Sequence, residues 1–155
     1  EQLTPLVIAR RRGRRTTFRS VLQLYGRRPV SETLSRAVVT PAPRARGVVV
    51  ERKAARYALI SALSPGPVEW EDITFEGQAL FSHHTSRTHR VVLAMGSELK
   101  WGDASWTVSP AGSVEFARTA RGVRLTNLGQ TAVQVGEGDA RIPLGPGQKR
   151  IPTRA

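Results

Sequence analysis

Cysteine is absent from this chain of 155 residues. Without it there are no disulfides, no thiolate metal ligands and no thiol nucleophiles. No apolar run approaches the roughly 20 residues needed to cross a bilayer, so we expect no membrane partner. Residues 1–5 lack the basic and apolar regions of a signal peptide, and the first residue is Glu1 rather than methionine. These features predict a piece of a longer polypeptide.

Acidic residues are scarce in the first third of the chain. Residues 1–56 hold fourteen Arg and Lys against three Glu, a net charge of +11, whereas residues 57–155 hold ten against nine, a net charge of +1. A concentrated positive field attracts polyanions. The guanidinium group of arginine suits carboxylate, sulfate or phosphate, because it can donate two parallel hydrogen bonds.

The positive charge is densest where the sequence predicts a β-hairpin. Residues 6–9 are apolar, residues 16–25 are rich in β-branched and aromatic side chains, and Gly13 lies in the connection between them. The candidate polyanion contacts are its arginines and those just after it: Arg10, Arg11, Arg12, Arg14, Arg15, Arg19, Arg27 and Arg28. The alternative interpretation is a set of solvated surface arginines without a specific ligand.

Short apolar runs separated by Gly, Pro and Asn turns recur at roughly 8–12 residues through the rest of the chain, a spacing typical of antiparallel β-sheets. No long segment has the apolar period of a helix. We therefore predict an all-β protein, an antiparallel β-sandwich of many short strands, with residues 1–155 as one domain. Loops or turns are expected at residues 41–47, 82–88, 96–97 and 109–112.

The three histidines, His83, His84 and His89, are close together in the sequence. His83 and His84 are adjacent and would point to opposite sides of a strand, whereas either could meet His89 across a tight hairpin. No carboxylate lies between Glu76 and Glu98 to complete a metal site. We expect a solvated turn and no metal.

The remaining candidate residues favour structural roles. Trp70, Trp101 and Trp106 are the residue type of a sugar-stacking platform, but their strand positions favour core packing. The two tyrosines, Tyr25 and Tyr57, also fit sheet packing. The glycine-rich segments lack the strand-to-helix context of a phosphate-binding loop, so no cofactor is expected.

Several segments, taken in order, resemble the C-terminal β-sheet region of heparinase II/III-like polysaccharide lyases: residues 6–26, 47–51, 73–81 and 91–106. The resemblance implies a β-sandwich that follows an (α/α) toroidal helical domain in a periplasmic or secreted bacterial enzyme. Such an enzyme cleaves acidic, uronate-containing glycans by β-elimination. The implied partners are the acidic polysaccharide and the toroidal domain of the same parent enzyme.

The resemblance supplies no catalytic residues in this chain, because the helical part of the family is missing here. We therefore expect a structural or substrate-gripping part of a lyase that is not catalytic as an isolated chain. The alternative is a stand-alone module that binds polyanions, either acidic polysaccharide or nucleic acid. Nucleic acid is the less favoured ligand, because no aromatic residues interleave with the arginines. A third, purely structural interpretation is that the basic face docks onto an acidic partner domain of the same polypeptide.

Overall fold

The computed structural model describes residues 36–42, 44–52 and 54–151, and these form strands and turns. None of them belongs to a helix long and apolar enough to cross a membrane. The twelve strands found within these residues are β1 (Arg36–Ala42), β2 (Ala45–Arg52), β3 (Ala55–Ala62), β4 (Val68–Trp70), β5 (Ile73–Glu76), β6 (Ala79–Thr85), β7 (His89–Trp101), β8 (Ala104–Thr119), β9 (Gly122–Asn127), β10 (Val133–Glu137), β11 (Ala140–Leu144) and β12 (Lys149–Arg150).

All the strand pairs are antiparallel, and two long strands connect two layers. The first part of β7 pairs with β6 and the last part of β8, in a larger layer that runs β1-β2-β3-β6-β7-β8-β9-β12. The second part of β7 pairs with β5 and the first part of β8, in a smaller layer that also contains β4, β10 and β11. The predicted all-β, sandwich-like fold is therefore confirmed.

The change of layer takes place at irregularities within β7 and β8. The register between these strands shifts between Leu93 and Gly96 and again between Gly96 and Glu98. Met95, at the first shift, has a φ of 47°. The predicted turn at residues 96–97 and the predicted connection at 109–112 were therefore wrong, because both segments lie inside continuous strands. A β-bulge accommodates the extra residue and bends the strand without ending it.

The predicted loop at residues 41–47 was also wrong. β1 continues through Pro41 to Ala42. β2 begins at Ala45 and pairs with the whole length of β1. Within the described residues β1 pairs with β2 alone, so the missing N–H of Pro41 removes no hydrogen bond from a second neighbour. Proline is tolerated in a strand at such an edge.

The core lies between the two layers and is built from alternate residues of the strands. In β3 the buried residues are Ala58 and Ile60, whereas Leu59 between them is exposed. Trp101 and Trp106 are fully buried, and Trp70 packs against the same cluster. The prediction that the tryptophans are core residues is confirmed for Trp101 and Trp106, and Trp70 is partly buried at the margin.

The predicted N-terminal hairpin lies outside the described residues. The eight candidate polyanion-binding arginines between Arg10 and Arg28, and Tyr25 with them, therefore remain predictions. The assignment of residues 1–155 to a single domain remains a prediction as well.

Candidate functional site at one end of the sandwich

A row of polar side chains crosses four neighbouring strands of the larger layer. The residues that face one another across β3, β6, β7 and β8 are Arg56, His84, His89 and Arg118. They lie at the end of these strands where the turn between β4 and β5 brings up Glu71 and Asp72. We call this region the histidine end, and it consists of Arg56, Glu71, Asp72, Ser82, His84, His89 and Arg118.

His84 and His89 meet across the hairpin between β6 and β7. Their rings are stacked, with centroids 4.5 Å apart and an interplanar angle of 16°. The edge contact of His89 with Trp101 has a centroid distance of 4.4 Å, and the guanidinium carbon of Arg118 lies 4.1 Å from the centroid of the Trp101 ring. The predicted meeting of His84 with His89 is confirmed. The predicted bend over residues 82–88 was wrong in its extent, because β6 continues to Thr85.

His83 points to the opposite side of the sheet from His84, as predicted from strand geometry. It stacks on Tyr57 with ring centroids 4.6 Å apart and an interplanar angle of 8°. Both residues are half-buried on the outer face of the larger layer. This contact confirms that Tyr57 has a packing role.

Arg56 holds the β4–β5 turn against β3. Its guanidinium group donates two hydrogen bonds to the carboxylate of Glu71, one of them 2.7 Å long from Nη1 to Oε2, and its Nε lies 3.4 Å from Glu51 Oε1. The hydrogen bonds with Glu71 raise the pKa of Arg56 above its ordinary value, against the effect of burial. Glu71 has a φ of 55°, an uncommon conformation for a residue with a side chain. The paired charges thus help to hold a strained turn in place.

His89 is in an environment that disfavours its charged form. Burial, the neighbouring His84 and the positive charge of Arg118 lower the pKa of His89 from 6.5 to about 4, although Asp72 and Glu71 act in the opposite direction. Its Nε2 lies 3.3 Å from the hydroxyl oxygen of the buried Ser82. At neutral pH the ring is therefore an uncharged packing and hydrogen-bonding group.

Two spaces adjoin these residues. A small cavity of about 30 Å³ borders Arg56, Trp70, Ser82 and His89, which is room for one or two water molecules. Trp70 Nε1 is buried without a hydrogen-bond partner within the described part of the chain, so it is available as a donor there. Outside the small cavity lies an open groove of about 580 Å³. It is lined by Glu71, Asp72, His84, Thr85, Ser86, Arg87, Thr88, His89, Arg118, Thr119 and Ala120.

The groove offers many hydrogen-bonding groups on short, ordered turns. Thr85 organises the bend between β6 and β7, because its Oγ1 accepts hydrogen bonds from the backbone N–H groups of Arg87 at 3.2 Å and Thr88 at 2.9 Å. Hydroxyl, guanidinium, imidazole and carboxylate groups therefore line one concave surface. This chemistry suits a ligand with several hydroxyl groups and a negative charge.

No group of three or more His, Asp or Glu side chains in the described part of the chain is arranged to hold a metal ion.

The sequence pattern did not reveal the two carboxylates of the histidine end, Glu71 and Asp72. They precede His84 by more than ten residues and belong to another hairpin. Only the pairing of β5 with β7 brings that hairpin beside the histidines.

The stability of the protein is expected to fall as the pH is lowered from about 6.5 to about 4, the interval between the unfolded and folded pKa values of His89. In this interval the unfolded state binds a proton at His89 and the folded state does not, so acid favours unfolding. Below about pH 4 both states bind this proton, so protonation of His89 causes no further loss of stability. We expect His89→Phe, which keeps a ring against Trp101, to show a shallower loss in denaturant titrations at about pH 7.5, 6 and 4.5. Equal pH dependence of the two proteins would contradict this assignment.

Comparisons of the chain with protein-family models, with curated proteins and with solved structures give no match.

Proposed function

We propose that this chain is the C-terminal β-sandwich of a heparinase II/III-like polysaccharide lyase. The parent enzyme would be a periplasmic or secreted bacterial protein that acts on acidic glycans next to its toroidal helical domain. In this proposal the sandwich grips the uronate polymer and leaves cleavage to the rest of the enzyme. The observation that carries it is the groove at the histidine end, together with the sequence resemblance described above.

Two arginines of the groove are suited to a uronate carboxylate. Arg118 is positioned by its contact with the Trp101 ring, and Arg87 lies in the bend that Thr85 orders. The Arg118 guanidinium group, held against this ring, loses little freedom on binding, so more of the free energy of its hydrogen bonds contributes to affinity. The hydroxyl and carboxylate groups beside them suit the hydroxyl groups of a sugar.

The histidine end favours gripping over proton abstraction. A general base is most effective when its pKa lies near the working pH. The pKa of His89 is about 4, and its Nε2 already contacts the hydroxyl group of Ser82. This ring is a weak base at neutral pH. It serves better as a rigid wall of the groove.

Calorimetric titration with uronate oligosaccharides tests this proposal. We expect the whole chain to bind a uronate hexasaccharide and to bind the same hexasaccharide much more weakly after its carboxyl groups are reduced to alcohols. Arg87→Ala should weaken uronate binding by about tenfold, as expected for the loss of one charged hydrogen-bonding group. Arg150→Ala is the matched control, because Arg150 is an exposed arginine of β12 outside the groove.

Either of two results would refute the groove as the glycan site. One is equal affinity for the native and the carboxyl-reduced hexasaccharide. The other is a wild-type affinity in Arg87→Ala. A uronate product released by the isolated chain would refute the expectation that it lacks catalysis.

The second candidate function is a stand-alone polyanion-binding module, and the net charge of +11 within residues 1–56 favours it. In that case binding depends on the arginines from Arg10 to Arg28, tolerates Arg87→Ala and decreases steeply with salt. The double variant Arg11→Glu, Arg14→Glu should then abolish binding to heparin and to duplex DNA at low salt. Retention of binding by this variant would exclude the module.

A further inference from the structure

An apolar row crosses the outer face of the larger layer. Val48, Leu59, Phe81 and Val92 face one another on β2, β3, β6 and β7. Leu59 is 52% exposed and Phe81 is 39% exposed, whereas the two valines are half-buried. Inward neighbours such as Ala58 and Leu80 already fill the core, so the row is not needed for packing between the layers. We call these four residues the outer row.

The smaller layer shows which residue types occupy the solvent-facing positions of this protein. The corresponding outward residues of β5, β7 and β8 are all polar or charged: Thr74, Glu76, Glu98, Lys100, Ser105 and Thr107. A half-buried antiparallel sheet normally alternates apolar and polar residues in this way. The larger layer departs from the pattern at four neighbouring strands, which indicates a surface that is covered in use.

The outer row is self-complementary. A two-fold axis parallel to the strands, between β3 and β6, would place Leu59 against Phe81 of a second copy and Val48 against Val92 of that copy. In the adjacent row Tyr57 would face His83 of the second copy, and Arg90 would face Val50. Within the outer row apolar groups thus meet apolar groups, and in the adjacent row Arg90 faces Val50 rather than the Arg90 of the other copy. The stacked Tyr57 and His83 rings are already ordered, so they lose little freedom on contact.

We propose that the outer row binds a second copy of this chain, so that the two larger layers pack face to face in a symmetric dimer. The inference concerns a different face from the groove and does not depend on the proposed function. Two sheets packed in this manner lie about 10 Å apart.

The area predicts a weak association. Four strands about 4.8 Å apart and three rows of side chains about 6.8 Å apart, the outer row and the row on either side of it, cover roughly 400 Å² on each copy. Side chains project from this surface, so the total accessible area buried is on the order of 1,000 Å², at the lower end for specific interfaces. We therefore expect a dissociation constant of roughly 10–100 µM.

The charge of the protein gives this dimer an unusual salt dependence. Each copy carries a net charge of +12, so two copies repel each other at low ionic strength. Salt screens this repulsion and leaves the apolar contact intact. The dimer should therefore become tighter as salt is added. Binding of an acidic glycan by the same protein should become weaker, so the two proposals can fail separately.

Sedimentation velocity on the whole chain tests the dimer, from about 5 to about 500 µM and in about 0.05 and 0.5 M NaCl. We expect a monomer–dimer equilibrium that shifts towards the dimer at high salt. The double variant Leu59→Ser, Phe81→Ser should weaken it at least tenfold. Leu128→Ser is the matched control, because Leu128 is also 52% exposed but lies outside the outer row. A monomer under all conditions, or a dimer unaffected by the double variant, would overturn the proposal.

Cross-linking with a short bismaleimide, whose reach suits two sheets about 10 Å apart, tests the arrangement independently, since the chain has no cysteine of its own. The proposed axis predicts that Val48→Cys chains cross-link to Val92→Cys chains in a mixture treated with this reagent. Neither variant should cross-link efficiently to itself, because each position faces the other across the interface. Efficient self-linking of Val48→Cys would show that the two copies meet in a different register.

Discussion

Asn127→Ala is expected to lower the free energy of unfolding by about 3 kcal/mol, because it removes three hydrogen bonds from a buried position. The Asn127 side chain is fully buried at the end of β9. Its Nδ2 donates to the carbonyl oxygens of Thr131 at 2.8 Å and Leu144 at 3.0 Å, and its Oδ1 accepts from the backbone N–H of Gly129 at 2.8 Å. One amide group therefore joins β9, the following loop and β11.

Urea unfolding of Asn127→Ala beside Gln134→Ala measures this effect. Gln134 is an exposed polar residue of β10, so its replacement should change the stability by less than about 0.5 kcal/mol. For a domain of this size a loss of about 3 kcal/mol corresponds to a fall in the melting temperature of roughly 10 °C. If Asn127→Ala proved as stable as Gln134→Ala, the hydrogen bonds of Asn127 would not be important for the fold.

The periodic apolar runs were sufficient to predict the strands, because alternate burial imposes a period of two on the sequence. The run from Tyr57 to Leu63 became β3, and residues 140–144 became β11. The turn residues were less reliable. Gly96 and Pro41 interrupt their runs just as true turn residues do, yet they occupy a bulge and an edge strand. Local sequence does not distinguish these cases, since the neighbouring strand decides whether an irregular residue ends the pairing.

The histidine end was only half predictable. The contact of His84 with His89 follows from a hairpin, whose pairing is local in sequence. The contact of Arg56 with Glu71 depends on β3 and on the β4–β5 turn, which occupy different parts of the sandwich. No spacing rule links two such elements. The groove is formed by the turns of three different hairpins. Its set of side chains can therefore be recognised only when the strand topology is known.

The outer row, like the groove, could not be predicted from local sequence. Each of its residues lies in an unremarkable apolar run, where an outward side chain looks like a core side chain. Their exposure becomes visible only when the register places them on one face. The register therefore distinguishes two surfaces: the polar groove that we propose as a glycan site, and the apolar face that we propose as a dimer contact.

Gly96→Ala is expected to destabilise the protein by about 3 kcal/mol or more, through steric overlap at the place where β7 passes between the layers. A methyl group at Gly96 would lie 2.6 Å from the carbonyl oxygen of Glu76 and 2.6 Å from Leu93 Cδ1. The first of these atoms belongs to the backbone of β5, so a change of side-chain rotamer does not relieve the contact. Gly77 approaches the same point, since a methyl group there would lie 2.8 Å from Gly96 Cα.

Gly138→Ala is the matched control for Gly96→Ala, because a methyl group at Gly138 meets no atom of the described residues within 4 Å although its φ is 57°. Its loss of stability should be limited to the strain of that conformation, about 1 kcal/mol. Denaturant unfolding should therefore give a clearly lower midpoint for Gly96→Ala than for Gly138→Ala, with the same dependence on denaturant concentration. Equal losses would mean that β5 moves away from β7 at little cost. The bulge would then be a flexible joint between the layers rather than the close contact that fixes their positions.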